Sequence, residues 1–377
     1  MNRSIALVMV FVGAACGDDA SSSSDAGGDG PNLGGDGNQM TGNGPTLGGC
    51  PVLPDNHVFN TKIDQLPVDP NSAAYISTIG GSVKLHLDLG QTVDQTQTDF
   101  YGIPYNVAAM SAATWPTVAY TSPDPGMNWN PKPESDCADA SHTIVSPCDT
   151  IAQPKFPIMA NPLVEGGIST ASNHMPYGDH HILILDTDSC LLWETYHSYY
   201  VSNAWQIFGS AVWDMRSNKL RTPDWSSADA AGFPILPLLL KEEEASSGTI
   251  KHALRFTINT PKLRNVYTWP ATHVANDATD PAFPPYGQLF RLKASYQIPA
   301  NYNVQSKAIL TAMKEYGMYI ADGGSDMYIT GAASANWMDS TFSEVQSVAA
   351  SNFEAVDLTP FKQRAGWSAT SAAVPSP

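Results

Sequence analysis

Apolar and polar residues alternate along Val83-Lys-Leu-His-Leu-Asp-Leu89, the period-two pattern of a strand with one buried face. The run His180-His-Ile-Leu-Ile-Leu-Asp186 is apolar on both parities and predicts a buried strand. Residues 191–200 read as its neighbour across the turn Asp186-Thr-Asp-Ser. Further strands are predicted over 207–214, 249–259, 288–296, 318–321 and 327–330. Helical signals are few. Asn71 or Ser72 can cap a short helix ending at Ile79, and residues 306–316 place Ile309, Ala312, Met313 and Tyr316 on one helical face. Thr341-Phe-Ser-Glu344 has capping-box spacing ahead of Val345. Many short strands joined by Gly, Pro and Asn turns predict a mainly β fold, a β-sandwich or jelly roll with a few short peripheral helices.

The N-terminal segment has a different pattern. Arg3 precedes an apolar run from Ile5 to Val12, followed by Gly13-Ala-Ala-Cys16. That order of charge, apolar stretch and small residues predicts a secretory signal over 1–16. The run falls well short of the roughly 20 residues that span a bilayer. Gly-Ala-Ala-Cys resembles a bacterial lipobox, which makes Cys16 the lipidated residue and the cell envelope, outer membrane or cell surface, the expected location. Acyl chains on Cys16 would anchor the chain, each buried methylene contributing ~0.8 kcal/mol. Residues 17–49 are Gly, Ser, Asp, Asn and Pro with almost no aliphatic residue, too little apolar surface to offset ordering, and predict a disordered tether. A single globular domain is expected over 50–367, with a flexible Ala/Ser/Pro tail over 368–377.

A net charge of −17 leaves no Lys/Arg cluster to neutralise phosphates, so nucleic acid is not an expected partner. A neutral polysaccharide or other glycan fits better, with membrane contact only through the anchor and the chain a monomer. After Cys16 four cysteines remain, with three possible pairings. Cys137 and Cys148 flank a short Pro-, Ser- and Asp-rich loop and are expected to pair, leaving Cys50 and Cys190. No CxxC spacing marks a zinc site.

Gly102-Ile-Pro-Tyr105, Gly178-Asp-His-His181, Ser227-Ala-Asp-Ala-Ala-Gly232, His252-Ala-Leu-Arg-Phe-Thr257, Trp269-Pro-Ala-Thr-His273 and Tyr316-Gly-Met318 together resemble the core of a family of secreted, β-rich bacterial proteins common in polymer-degrading soil bacteria. The resemblance spans roughly residues 55 to 357. It implies one intact domain in an extracellular setting and carries no activity or site residues.

Candidate chemistry concentrates between residues 173 and 273, which hold His174, Asp179, His180, His181, Glu194, His197, Asp214, Asp229, Glu242, Glu243, Glu244, His252 and His273. Adjacent strand residues point to opposite faces, so only one of His180 and His181 can line a given site. Asp179 stands at the mouth of a strand and Asp214 ends the Ser210-Ala-Val-Trp-Asp run. Asp229 occupies a small-residue segment that would otherwise be a helix start capped by Ser226 or Ser227. Two of these three carboxyls can form the acid and base that cleave a glycosidic bond. His181, His252 and His273 would contact substrate, with Trp213, Trp225 and Tyr177 as aromatic platforms. The expected function is a glycoside hydrolase. A lyase, a metal-dependent enzyme using His180 or His181 with His252 and His273, and a non-catalytic glycan-binding or adhesion protein are the alternatives. Gly-x-Ser-x-Gly, P-loop, dinucleotide and His-Glu-x-x-His motifs are all absent. No metal ligands are assigned. Calcium is considered at Asp322-Gly-Gly-Ser-Asp326 or Asp186-Thr-Asp188, and both sequences also suit plain turns.

Overall fold

The computed structural model describes residues 44–127, 129–167 and 178–377. Cys16, the signal segment and the tether up to residue 43 lie outside the described residues, as do His174 and Tyr177.

The chain is rich in sheet, with few and short helices. Its two larger sheets are built from β1 (His86–Asp88), β2 (Tyr105–Ala108), β3 (Ile182–Asp186), β4 (Leu191–Tyr196), β5 (Gly209–Asp214), β6 (Leu254–Asn259), β7 (Leu289–Leu292), β8 (Met318–Gly324), β9 (Tyr328–Thr330) and β10 (Phe353–Ala355). The four-stranded sheet has the order β5-β4-β3-β2, and the six-stranded sheet β10-β7-β8-β6-β9-β1. Pairing is mixed. β2 runs parallel to β3, β6 to β8 and β9 to β1, while the other pairs are antiparallel.

β3 explains why its sequence is apolar on both parities. Leu183 and Leu185 join the main apolar cluster, which also takes Leu254, Phe256 and Ile258 of β6 and Leu87 of β1. Ile182 and Ile184 enter a second cluster with Trp115, Phe156 and Trp193. Both faces of the strand are therefore covered, and period-two polarity has no place in it. The alternation at 83–89 is resolved the other way. Leu85, Leu87 and Leu89 are buried, and Lys84, His86 and Asp88 stand on the opposite parity.

The strand predicted over 191–200 breaks at His197, whose φ of 56° is left-handed. It resumes as Tyr199–Val201, paired with Ala204–Ile207 in a three-stranded sheet with Val118–Tyr120. Ser72–Ile79 forms α1 and Val304–Glu315 forms α2. The capping box at 341–344 needs correction. α3 spans Asp339–Val345, so Thr341 is inside it, and its capping chemistry serves α2 instead. Asn303, the N-cap of α2, donates its backbone N–H to Glu344 Oε2 (2.9 Å) and its Nδ2 to Thr341 Oγ1 (2.9 Å).

Two boundaries shift. Thr46–Leu47 pairs with Cys50–Pro51, so folded chain begins before residue 50. Residues 368–377 are no loose tail: Ala372 and Val374 are buried, and Val58 N–H donates to Ala372 O (2.9 Å). The cysteines pair as Cys50–Cys190 and Cys137–Cys148, each with Cα atoms 5.5 Å apart. No helix among the described residues is long and apolar enough to cross a membrane.

Candidate functional site

The residues leading into β3 lie against the turn Val164-Glu-Gly-Gly167. Glu165 N–H donates to His181 O (3.0 Å), and His181 N–H approaches Glu165 Oε2 (3.3 Å). The turn needs its second glycine, because Gly167 has φ 86° and a Cβ there would stand 2.4 Å from Gln95 O. Asn106 of β2 ties the turn down. Its Nδ2 donates to Leu163 O and Leu183 O, both at 3.0 Å, and its Oδ1 accepts from Leu163 N–H (2.8 Å). Asp179 O accepts from His197 N–H (2.6 Å) and His180 O from Ser198 N–H (3.2 Å), extending the β3–β4 pairing outward. These bonds fix the backbone that carries Glu165, Asp179 and His181.

His181 Nδ1 lies 2.6 Å from Glu165 Oε2, and its Nε2 lies 2.9 Å from Ala228 O. Both partners are acceptors, so the ring donates from both nitrogens and is an imidazolium. Burial works against that charge, but the Glu165 carboxylate more than offsets it and raises the His181 pKa to about 9. Burial likewise opposes ionisation of Glu165, and the adjacent imidazolium reverses the outcome and lowers its pKa. Asp179, exposed at the cleft, accepts from the Tyr196 hydroxyl. Glu165, Asp179 and His181 each bring one ligand-type atom to within 4.8 Å of the others.

The six-stranded sheet supplies the facing wall. Arg255 and Thr257 share one parity on β6, Tyr328 and Thr330 one on β9, and His86 and Asp88 one on β1, with Tyr328 opposite His86 and Thr330 opposite Asp88. The β6–β8 register shifts between Phe256 and Thr257, which brings Asp322 opposite Thr257. Arg255 is buried and grips Asp229 through Nε to Oδ2 (3.1 Å) and Nη2 to Oδ1 (2.8 Å), while Nη1 donates to Thr330 Oγ1 (2.6 Å). Burial, then repulsion from Asp229, pushes Asp322 up to about 7, and Arg255 pulls it down only in part. Asp322 is thus a carboxyl that carries its proton into the neutral range. Asp88 is also raised by burial, against the hydrogen bond from Tyr101. The cleft holds about 230 Å³ and is lined by Asp88, Tyr101, Glu165, Asp179, His181, Arg255, Asp322 and Tyr328, among others.

Of the residues singled out from sequence, Asp179 and His181 meet in this cleft. Asp229 lies beneath it, 1% exposed, as the partner of Arg255. The segment around Asp229 is a turn and starts no helix. Ser227 Oγ donates to Phe233 O (2.6 Å) and accepts from Asp229 N–H (2.9 Å). The other candidates do not line the cleft. Asp214 is held by Arg216 Nε at 3.0 Å at the end of β5. Trp213 and Trp225 both face the Arg221 guanidinium, at 5.7 Å each, and Arg221 in turn pairs with Asp136 (2.6 Å). His252 binds Glu244 (2.9 Å) and Ala253 O (2.7 Å), and His273 Nδ1 binds Ala230 O (2.8 Å). Tyr177 falls outside the described residues. In the two acidic turns considered for calcium, Asp326 is taken by Lys262 (2.6 Å), and Asp186 Oδ1 by the N–H groups of Met110 (3.0 Å) and Asp188 (3.1 Å).

Glu165, Arg255, Asp322, Asp88 and Tyr328 were not among the sequence candidates for catalysis or substrate contact. A signal existed for two of them. Arg255 is a lone charge between Leu254 and Phe256 inside an apolar strand, and such a charge needs a buried partner. Asp88 is on the polar parity of the 83–89 alternation. Comparison with protein-family models, with curated proteins and with solved structures found no match.

Proposed function

We propose that the cleft is the active site of a hydrolase that cleaves a glycosidic bond in a neutral glycan. One observation carries this reading: Asp322, protonated up to about pH 7, shares a single cleft with Asp179. Glycoside hydrolysis needs a carboxylic acid at the leaving oxygen and a second carboxyl group across the sugar. Asp322 is the proton donor. Asp179, carried on the approach to β3, orients the attacking water and takes its proton. Arg255 is held beneath by Asp229 and, with His181, gives the cleft fixed positive charge close to its carboxylates. The lining also brings the hydroxyls of Thr257, Ser325 and Thr330 and the rings of Tyr101 and Tyr328, which suit a polyhydroxylated, uncharged ligand.

The larger setting follows the same reading. The two main sheets are taken as layers of a sandwich, since one apolar cluster draws residues from both. Two disulfides fit an oxidising compartment. Export by the 1–16 signal and anchoring through Cys16 would present the cleft to glycans outside the cell.

Reducing-end release from a panel of neutral polysaccharides tests the function. Wild type and Asp214→Asn should release product equally, and Asp179→Asn should lose about 10²–10⁴ of the rate. Binding of a glycan without product by wild type would overturn the hydrolase reading and favour an adhesion protein.

A further inference from the structure

We propose that Glu165, Asp179 and His181 together hold one divalent metal ion of the zinc class in the cleft. The inference rests on the reading of this cleft as the working site and adds a cofactor to it.

Three features converge on an ion. The first is the donor set, one imidazole nitrogen and two carboxylate oxygens within 4.8 Å of one another. Mixed nitrogen and oxygen ligands suit zinc and its neighbours, whereas calcium prefers an all-oxygen shell. The second is the way His181 is aimed. Its Nε2–H is given to Ala228 O at 2.9 Å, outside the cluster, which fixes the ring and turns Nδ1 toward Glu165. Metal-binding histidines are commonly oriented in this manner, by a carbonyl on the far nitrogen. The third is charge. Asp88, Glu165 and Asp179 line the cleft against Arg255 and His181, and Arg255 is already committed to Asp229. Asp88 Oδ1 is buried without a hydrogen-bond partner among the described residues.

The ion would replace the His181 Nδ1 proton, which leaves to solvent, and would take one oxygen from each carboxylate. Three protein ligands leave positions open for water and for sugar hydroxyls. The second oxygen of Asp179 stays available to the attacking water.

The test is calorimetric titration of the full chain, stripped with chelator, with Zn²⁺ alone and with Ca²⁺ alone, followed by metal analysis after dialysis. One retained Zn²⁺ per chain is expected. His181→Gln and Asp179→Asn should each weaken it about tenfold or more, while Asp214→Asn binds as wild type. Asp179 is exposed, so its variant keeps the test valid if His181→Gln fails to fold, and circular dichroism separates the two. Absence of Zn²⁺ binding, binding unchanged in folded Asp179→Asn, or a clear preference for Ca²⁺ would each overturn the proposal. Glycan hydrolysis by the stripped protein would sink the ion and spare the hydrolase. Zn²⁺ uptake at these residues with no hydrolysis on any glycan would spare the ion and sink the hydrolase.

Discussion

Arg255 and Asp229 meet side-on beneath the cleft, two parallel N–H···O contacts of 3.1 and 2.8 Å between groups almost wholly removed from water. Bidentate geometry gives both charges partners that each would otherwise lack. The pair also sets the electrostatics above it, since Asp229 raises Asp322 and Arg255 limits the rise.

Breaking that pair should be costly. Asp229→Asn leaves Arg255 buried with one acceptor fewer, and a loss of about 3–5 kcal/mol is expected for one partner removed from a buried ion pair. Urea denaturation of Asp229→Asn, Arg255→Met and the double variant measures it. The double variant should be less destabilised than the sum of the singles, because neither charge is then stranded.

Glu194 gives a pH signature of stability. Its carboxyl is fully buried on β4 and caps the short turn at 235–238, accepting from Ile235 N–H (2.9 and 3.0 Å) and Leu236 N–H (2.9 Å). Burial lifts it from 4.5 to about 7, against those hydrogen bonds. The folded protein therefore holds this proton more tightly than the unfolded chain, and its contribution is complete below about pH 4.5 and lost as pH rises through about 7. Melting temperature should fall across that window, and the fall should be shallower in Glu194→Gln. Parallel curves would contradict the assignment.

The two disulfides should differ in weight. Cys50–Cys190 closes a loop with a sequence separation of 140, and Cys137–Cys148 one of 11. In the chain-entropy account these constrain the unfolded chain by about 5 and about 3 kcal/mol. Paired serine variants compared by thermal unfolding should rank in that order.

Much of the sheet was legible in the sequence because its signals are local. Period-two polarity marked β1, continuous apolarity marked β3, and both follow from which faces are covered. What escaped was set by contacts distant in sequence. The capping box at 341–344 is real chemistry that serves a helix some forty residues earlier in the chain, because Asn303 packs against it. The tail reads as loose by composition, yet Ala372 and Val374 find a place in the core. At the site, Asp179 and His181 were visible as polar residues leading into a buried strand. Their partners Glu165, Arg255 and Asp322 come from three other segments: the register of the six-stranded sheet, with its shift at Phe256/Thr257, brings Arg255 and Asp322 in, and the turn against His181 brings Glu165. Trp213 and Trp225 illustrate the converse: aromatic residues suited to sugar instead enclose Arg221.

The most direct measurement of the central claim is the pH profile of kcat/KM for glycan hydrolysis in wild type and Asp322→Asn. With Asp322 as proton donor, activity should decline as pH rises through about 7. Asp322→Asn should lose about 10²–10⁴ of the rate while keeping the wild-type circular dichroism spectrum. An Asp322→Asn protein with undiminished rate and the same alkaline limb would contradict the account.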